Sequence, residues 1–224
     1  RFACQLKDFK AEDHLDKKEA RKIDPFAQYA LVAADEAMRD SGIDLAQVDL
    51  SRFGVIWGSG IGGFNTLETD ISEAALNSGI PRYSPFLIPK LISDIAPGHI
   101  SIKYGLMGIN YGVVSACASS AHAISSAFDY IRMGKADRMI SGGSEAAITR
   151  AGVGGFSAMK ALSERNDDFS SASRPYDRER DGFVLGEGAG AVILEAYDLA
   201  VERGAKIYAE IAGTGASADA FHIT

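Results

Sequence analysis

Residues 111–126 read YGVVSACASSAHAISS, and how this stretch folds decides how the rest is arranged. An apolar run, about Tyr111 to Ala116, reads as a short strand. It stops at a lone thiol, Cys117, and small helix-compatible residues continue from there to Gly134. The stretch is therefore a strand, a sharp turn and a helix, with Cys117 at the turn. Ala116, Ala118, Ser119 and Ser120 around it fill little core volume. Two explanations compete: an inert thiol in a tight turn, or a clearing through which a substrate reaches the sulfur.

Outward from that unit, the same alternation recurs. RMISGGSE (138–145) is a second strand with glycines near its end, and RFGVIWGSG (52–60) is a third, apolar on both faces. AGAVILEAY, near 188–197, is a fourth, followed by a short helix from Leu199 to Arg203. Asp24-Pro25 supplies an N-cap and a proline at the first helical position; apolar residues then recur at helical spacing from Phe26 to Met38, and Ser41-Gly42 ends the helix. A further helix covers about Thr66 to Asn77, closed by Gly79, and Pro85, Pro89 and Pro97 break residues 84–105 into helical pieces. GVGGF and the polar stretch NDDFSSASRPYDRERDGF read as one long loop, and KIYAEIAGTGAS (206–217) as a last strand. Strands alternating with helices define an α/β fold with a mainly parallel sheet.

The 224 residues suffice for a large core, and 46% hydrophobic with 24% charged residues is an ordinary globular composition. A net charge of −7 argues against a nucleic-acid partner. No run approaches the roughly 18 apolar residues of a membrane span, and the N-terminus has no signal-peptide core. With only Cys4 and Cys117, the chain has no disulfide framework, which suits a reducing, cytoplasmic setting. It opens on Arg1 rather than Met and stops just after a strand-like run, so it reads as part of a longer protein.

A helix N-terminus carries unpaired N–H groups and a partial positive charge, which stabilise a thiolate and can receive an oxyanion. Cys117 thus has the setting of a nucleophile, although the Gly-x-Ser-x-Gly pattern of hydrolases is absent and buried free cysteines are common. Of the histidines, His122 lies five residues on and is turned away from the sulfur, His99 suits packing or capping at a Pro-Gly break, and His14 sits in a charged surface segment. His222 is next to the terminus and nothing in the sequence places it. None makes a persuasive base for Cys117, and no metal-ligand spacing occurs. KKEARKID sets Lys18, Arg21 and Lys22 at helical spacings, either as a basic patch or as a solvated face laced with Asp16 and Glu19.

GSGIGG (58–63), SACASS (115–120), GGSE (142–145), GVGGF (near 152–156) and, above all, ASRPYDRERDGFVLGEGAGAVILE (172–195) together resemble the β-ketoacyl-acyl carrier protein synthases, elongating condensing enzymes of the thiolase fold. The resemblance spans essentially the whole chain. It implies a layered αβαβα fold with a mixed, mainly parallel sheet. Residues 1–204 would be most of the N-terminal half and 205–224 the start of the C-terminal half, with the family's two active-site histidines, its lysine and its gating loop in a missing portion. It implies that Cys117 accepts an acyl group as a thioester and passes it, in a decarboxylative Claisen condensation, to malonyl-carrier protein. Ile61 would line the acyl pocket, Phe156 its entrance, Leu87 the floor of a dimer partner's pocket, and Thr224 the phosphopantetheine arm. Arg82 and Lys160 would join Lys18, Arg21 and Lys22 in docking an acidic acyl carrier protein. No cofactor or metal is implied, and relatives are homodimers. The alternative within the same resemblance is a non-catalytic partner, or an inactive fragment of a polyketide-type ketosynthase.

Overall fold

Every residue of Phe53–Gly58 (β1) is buried, as expected of a short apolar run covered on both faces. In the computed structural model, which describes residues 2–77 and 82–221, β1 is an inner strand of a mixed sheet. It pairs in parallel with Asn110–Val113 (β2) and with Arg138–Glu145 (β3); β3 pairs antiparallel with Gly188–Glu195 (β4). The spatial order is β2-β1-β3-β4. The helices are Lys17–Ala20 (α1), Pro25–Ser41 (α2), Phe64–Leu76 (α3), Leu87–Leu91 (α4), Ile95–Tyr104 (α5), Ser119–Arg132 (α6), Arg150–Ala158 (α7) and Tyr197–Glu202 (α8). Parallel neighbours need crossovers, and α3–α5 link β1 to β2 while α6 links β2 to β3.

Side-chain alternation in β1 sends Phe53, Val55 and Trp57 to one face and Ile56 to the other. On the first face, Phe26 and Ala30 of α2 and Ile100 of α5 cover them together with Ile140. On the second, Ala123 and Ala127 of α6 meet Ile56 and Met139. Full burial of Phe26, Phe53 and Trp57 contributes about 1.5–3 kcal/mol each. The result is helix, sheet, helix. This is the expected mixed, mainly parallel sheet; among the described residues the four strands form one sheet, which accounts for three of the five layers of an αβαβα arrangement.

One carboxylate joins two helix starts. Asp24, buried, accepts from the Phe26 N–H at 3.2 Å at the head of α2, and from Thr66 of α3 through its N–H at 2.8 Å and its hydroxyl at 2.6 Å. Burial pushes its pKa up, opposed chiefly by the Thr66 hydroxyl. At the far end of the sheet, Glu195 of β4 accepts from Arg138 of β3 and from Arg203 after α8, each at 2.7 Å, and Arg203 also donates to the Ser41 carbonyl of α2.

Four expectations are corrected. GVGGF is helix, not loop. The Thr149 hydroxyl accepts from the Gly152 N–H at 3.0 Å, and the Glu68 carboxylate accepts from Arg150 and Ala151 N–H at 3.1 and 2.6 Å, so α7 starts with its free donors satisfied. Residues 206–217, exposed apart from the half-buried Ile211, are non-repetitive, because a strand exists only by pairing and no described strand pairs with them. Pro97-Gly98 does not break α5: the proline is its third residue, where an N–H has no intrahelical partner anyway. Finally, Lys18, Arg21 and Lys22 do not share a continuing helix, since α1 stops at Ala20 and Arg21 caps it. Gly79, expected to close α3, lies outside the described residues.

Candidate active site

The strand expected to reach Ala116 ends at Val113, and the chain then turns sharply. Ala116 takes a left-handed conformation (φ +49°), which costs a non-glycine residue roughly 1–2 kcal/mol, and Cys117 is the middle residue of a 3₁₀ turn, Ala116–Ala118, leading into α6. Hydrogen bonds hold the turn. The Ser119 hydroxyl donates to the Ala116 carbonyl at 2.7 Å and accepts from the Ser115 N–H at 2.9 Å; the Ala118 N–H donates to the Ser115 carbonyl at 3.1 Å. The His122 Nδ1 meets the Ser115 hydroxyl at 2.7 Å, so this histidine braces the turn from behind. Cys117 is left exposed at its crest.

The depth of the turn is set by the sheet. A Cβ on Gly58 at the end of β1 would lie 2.4 Å from the Ser119 carbonyl carbon, and one on Gly143 of β3 would lie 1.9 Å from the Ser120 hydroxyl oxygen. The first turn of α6 therefore rests directly on backbone at two neighbouring strands, a contact that only glycine permits.

In front of Cys117 is a cavity of about 540 Å³, within the range of small-molecule sites. Ile61, Phe156, Phe183 and Leu185 provide its apolar wall, and the Phe156 and Phe183 rings meet edge to face at 5.3 Å. Glu145, the last residue of β3, lies at its edge; its carboxylate accepts from the Gly60 N–H at 2.7 Å, the Ser59 hydroxyl at 3.2 Å and the Ile61 N–H at 3.4 Å. Burial pushes the Glu145 pKa up, and the Gly60 N–H and Ser59 hydroxyl bonds oppose that. A second depression, about 640 Å³ between α3 and α7, is lined by Asn65, Glu68 and Arg150 and does not reach Cys117.

Three sequence-picked residues thus meet at one place: Cys117, Ile61 and Phe156. Leu87 is half-buried at the start of α4, outside that cavity lining, and Thr224 and His222 lie outside the described residues. Lys18, Arg21, Arg82 and Lys160 are exposed. Lys22 pairs with Glu19 at 2.7 Å and stands 6.0 Å over the Phe86 ring, next to the segment that carries Arg82. His99 is partly buried, which holds its pKa down, and His14 stacks on Phe9 at 5.5 Å. Among the described residues no group of three or more His, Cys, Asp or Glu side chains could hold a metal ion, and no helix is long and apolar enough to cross a membrane. Sequence reasoning did not select Glu145, Phe183 or Leu185. Each lies inside a quoted motif, GGSE or ASRPYDRERDGFVLGEGAGAVILE; the signal for Glu145 was an acid closing a buried strand just after its paired glycines.

A thiol raised on a strand–turn–helix at the mouth of an apolar cavity, on a mixed sheet clad by helices on both faces, defines the class: a thiolase-like ketosynthase. Residues 4–200 match the family model for the N-terminal domain of β-ketoacyl synthases, and the chain belongs to that family. It is 50% identical over 223 residues to 3-oxoacyl-[acyl-carrier-protein] synthase 2 of Staphylococcus aureus, covering 100% of this chain and 55% of that protein. A crystal structure of a β-ketoacyl synthase from Burkholderia phymatum STM815 superposes with a TM-score of 0.88 at 32% identity, covering 99% of this chain and 54% of the other. A type II polyketide ketosynthase in complex with its acyl-carrier protein superposes with a TM-score of 0.75 at 25% identity over 91% of this chain and 56% of the other. The chain spans about half the length of the curated relatives it matches.

Proposed function

We propose that this chain carries the acyl-accepting centre of a 3-oxoacyl-acyl carrier protein synthase that elongates fatty-acyl chains. The observation that carries the reading is the exposed Cys117 on its strained turn, facing the cavity walled by Ile61 and Phe156. The Cys117 thiolate attacks the carbonyl carbon of an acyl-phosphopantetheine thioester. First-turn N–H groups of α6 receive the oxyanion, and the carrier's sulfur leaves as the enzyme thioester forms, taking up the proton that the Cys117 thiol gave up on ionising. Malonyl-carrier protein then loses CO₂; the resulting carbanion attacks the enzyme thioester, and the sulfur leaves as thiolate.

Ile61 and Phe156 bound the acyl chain in this reading, Leu87 serves the pocket of a second copy in a homodimer, and Thr224 meets the phosphopantetheine arm. Exposed apolar residues near Leu87, among them Phe86, Ile88 and Ile92, support a subunit contact there. Lys18, Arg21, Lys22, Arg82 and Lys160 dock the acidic carrier, supported by their exposed or half-exposed positions and by the ketosynthase relative bound to its own carrier. The match to an N-terminal domain over 4–200 supports residues 1–204 as most of a first half and 205–224 as the start of a second. The enzyme works in the cytoplasm, needing no cofactor or metal.

Incubation with acyl-carrier protein followed by intact-mass measurement tests the reading. One added acyl group, absent from Cys117→Ala, is the expected result. A mass that does not change in the unsubstituted protein favours the non-catalytic partner instead.

A further inference from the structure

We propose that Glu145 is a positioning residue that sets acyl selectivity by fixing Ile61. This rests on the acyl-accepting role of Cys117 argued above. The loop from Ser59 to Gly62 wraps around one carboxylate. Glu145 Oε2 accepts from the Gly60 N–H at 2.7 Å; Oε1 accepts from the Ser59 hydroxyl at 3.2 Å and the Ile61 N–H at 3.4 Å. Ser59 relays the hold, its hydroxyl oxygen accepting from the Gly62 N–H at 3.1 Å. The wrap is close: a Cβ on Gly60 would stand 3.0 Å from Glu145 Oε2, so any larger residue there would press on the carboxylate.

Among the described residues Glu145 forms no ion pair, so its charge is compensated by the loop's own donors. A half-buried carboxylate needs donors, and here all of its hydrogen-bond partners belong to the one segment that carries a cavity-wall side chain. β3 is an inner strand held on both sides: it pairs with β1 from Arg138 to Gly143 and with β4 from Arg138 through Glu145, and that pairing makes it rigid. Glu145 transmits that rigidity to Ile61, whose side chain then bounds the cavity at a fixed place. The cysteine turn shares β3 as a support through Gly143 but is closed by its own Ser115–Ser119 hydrogen bonds, and none of these involves the Glu145 carboxylate.

The test is a double-mutant cycle in the protein as its cell makes it. Glu145→Gln keeps the volume but turns one acceptor oxygen into an NH₂ facing a loop N–H. The rate of Cys117 acylation from dodecanoyl- relative to butyryl-carrier protein should change about tenfold, the scale on which small differences in an apolar pocket discriminate. Alkylation of Cys117 by iodoacetamide should stay within about twofold. Ile61→Ala should move the selectivity in the same direction, and the double variant should change it no further than the larger single effect. Additive effects, or an unchanged ratio with slowed alkylation, overturn the proposal, because Glu145 would then act elsewhere or through the cysteine turn. Should Glu145→Gln fail to fold, Ser59→Ala removes one strut of the same wrap and should shift the ratio the same way. If the unsubstituted protein takes up no acyl group, the functional reading falls; faster amide exchange at Gly60 and Ile61 in Glu145→Gln still separates a held loop from a free one, and unchanged exchange overturns the positioning role.

Discussion

Adding one methyl group at Gly58 should disable the nucleophile without touching it. The new Cβ would stand 2.4 Å from the Ser119 carbonyl carbon, 2.5 Å from the Ser120 nitrogen and 2.6 Å from the Ser119 oxygen, all backbone atoms that no side-chain rotation can move. Ordinary contact begins near 3.4 Å, so the first turn of α6, and Cys117 with it, must retreat by about 1 Å. Forced overpacking of this kind costs about 1–3 kcal/mol, offset by at most about 1 kcal/mol from the stiffer unfolded chain. A displacement near 1 Å at a reacting atom lowers rates about 100-fold. Gly58→Ala should therefore lower the midpoint of urea unfolding and slow acylation of Cys117 from acyl-carrier protein about 100-fold. The same substitution at Gly154, inside α7 with nothing within 4 Å of the new Cβ, should instead raise stability by about 0.5–1 kcal/mol. If Gly58→Ala matched the unsubstituted protein in both stability and acylation, the account of how the sheet sets the depth of the cysteine turn would be wrong.

Three further outcomes follow from other contacts. Glu195→Gln strands Arg138, whose side chain is only 9% exposed, and should cost about 3–5 kcal/mol in chemical denaturation; a loss under about 1 kcal/mol would mean that water reaches the pair. Glu68 has its pKa held down by the Thr149 hydroxyl and then by the Ala151 and Arg150 N–H groups. Its folded-state value is thus below the unfolded one, so its support for α7 is present above the ordinary carboxylate range and is lost as pH falls through the lowered value. Protection of the Arg150 and Ala151 amides, taken relative to their intrinsic exchange rates, should fall in acid, and Glu68→Gln should abolish that pH dependence of protection. Reversing charge at the exposed Lys18 and Arg21 together should slow association with an acidic carrier about tenfold at low salt, while iodoacetamide alkylation of Cys117 stays unchanged. Equal slowing of both reactions would place these residues in the fold rather than in docking.

What could be seen in the sequence was what local chemistry determines. Asp24-Pro25 fixed the start of α2, two glycine-punctuated apolar runs fixed β1 and β3, and SACASS marked the turn that presents Cys117. What escaped depends on distant partners. The helix through GVGGF runs against the propensity of its three glycines; it forms because Glu68, from another helix, satisfies its first donors. Residues 206–217 have the composition of a strand and no described partner to make them one. The cavity wall draws Ile61, Phe156, Phe183 and Leu185 from three separate segments, and spacing along a chain does not reveal such a convergence. The resemblance to a known family supplied Ile61 and Phe156; only coordinates join them to Glu145.

The openness of the cysteine turn has a practical side for anyone purifying this protein. A sulfur on a crest, with alanine and serine for neighbours, is shielded from peroxide no better than from a substrate. Oxidation to the sulfenic acid is reversible by thiols, but the sulfinic and sulfonic acids that follow are not. Specific activity should therefore decline during storage in air while far-ultraviolet dichroism holds steady, and fresh reductant should restore only the portion lost early.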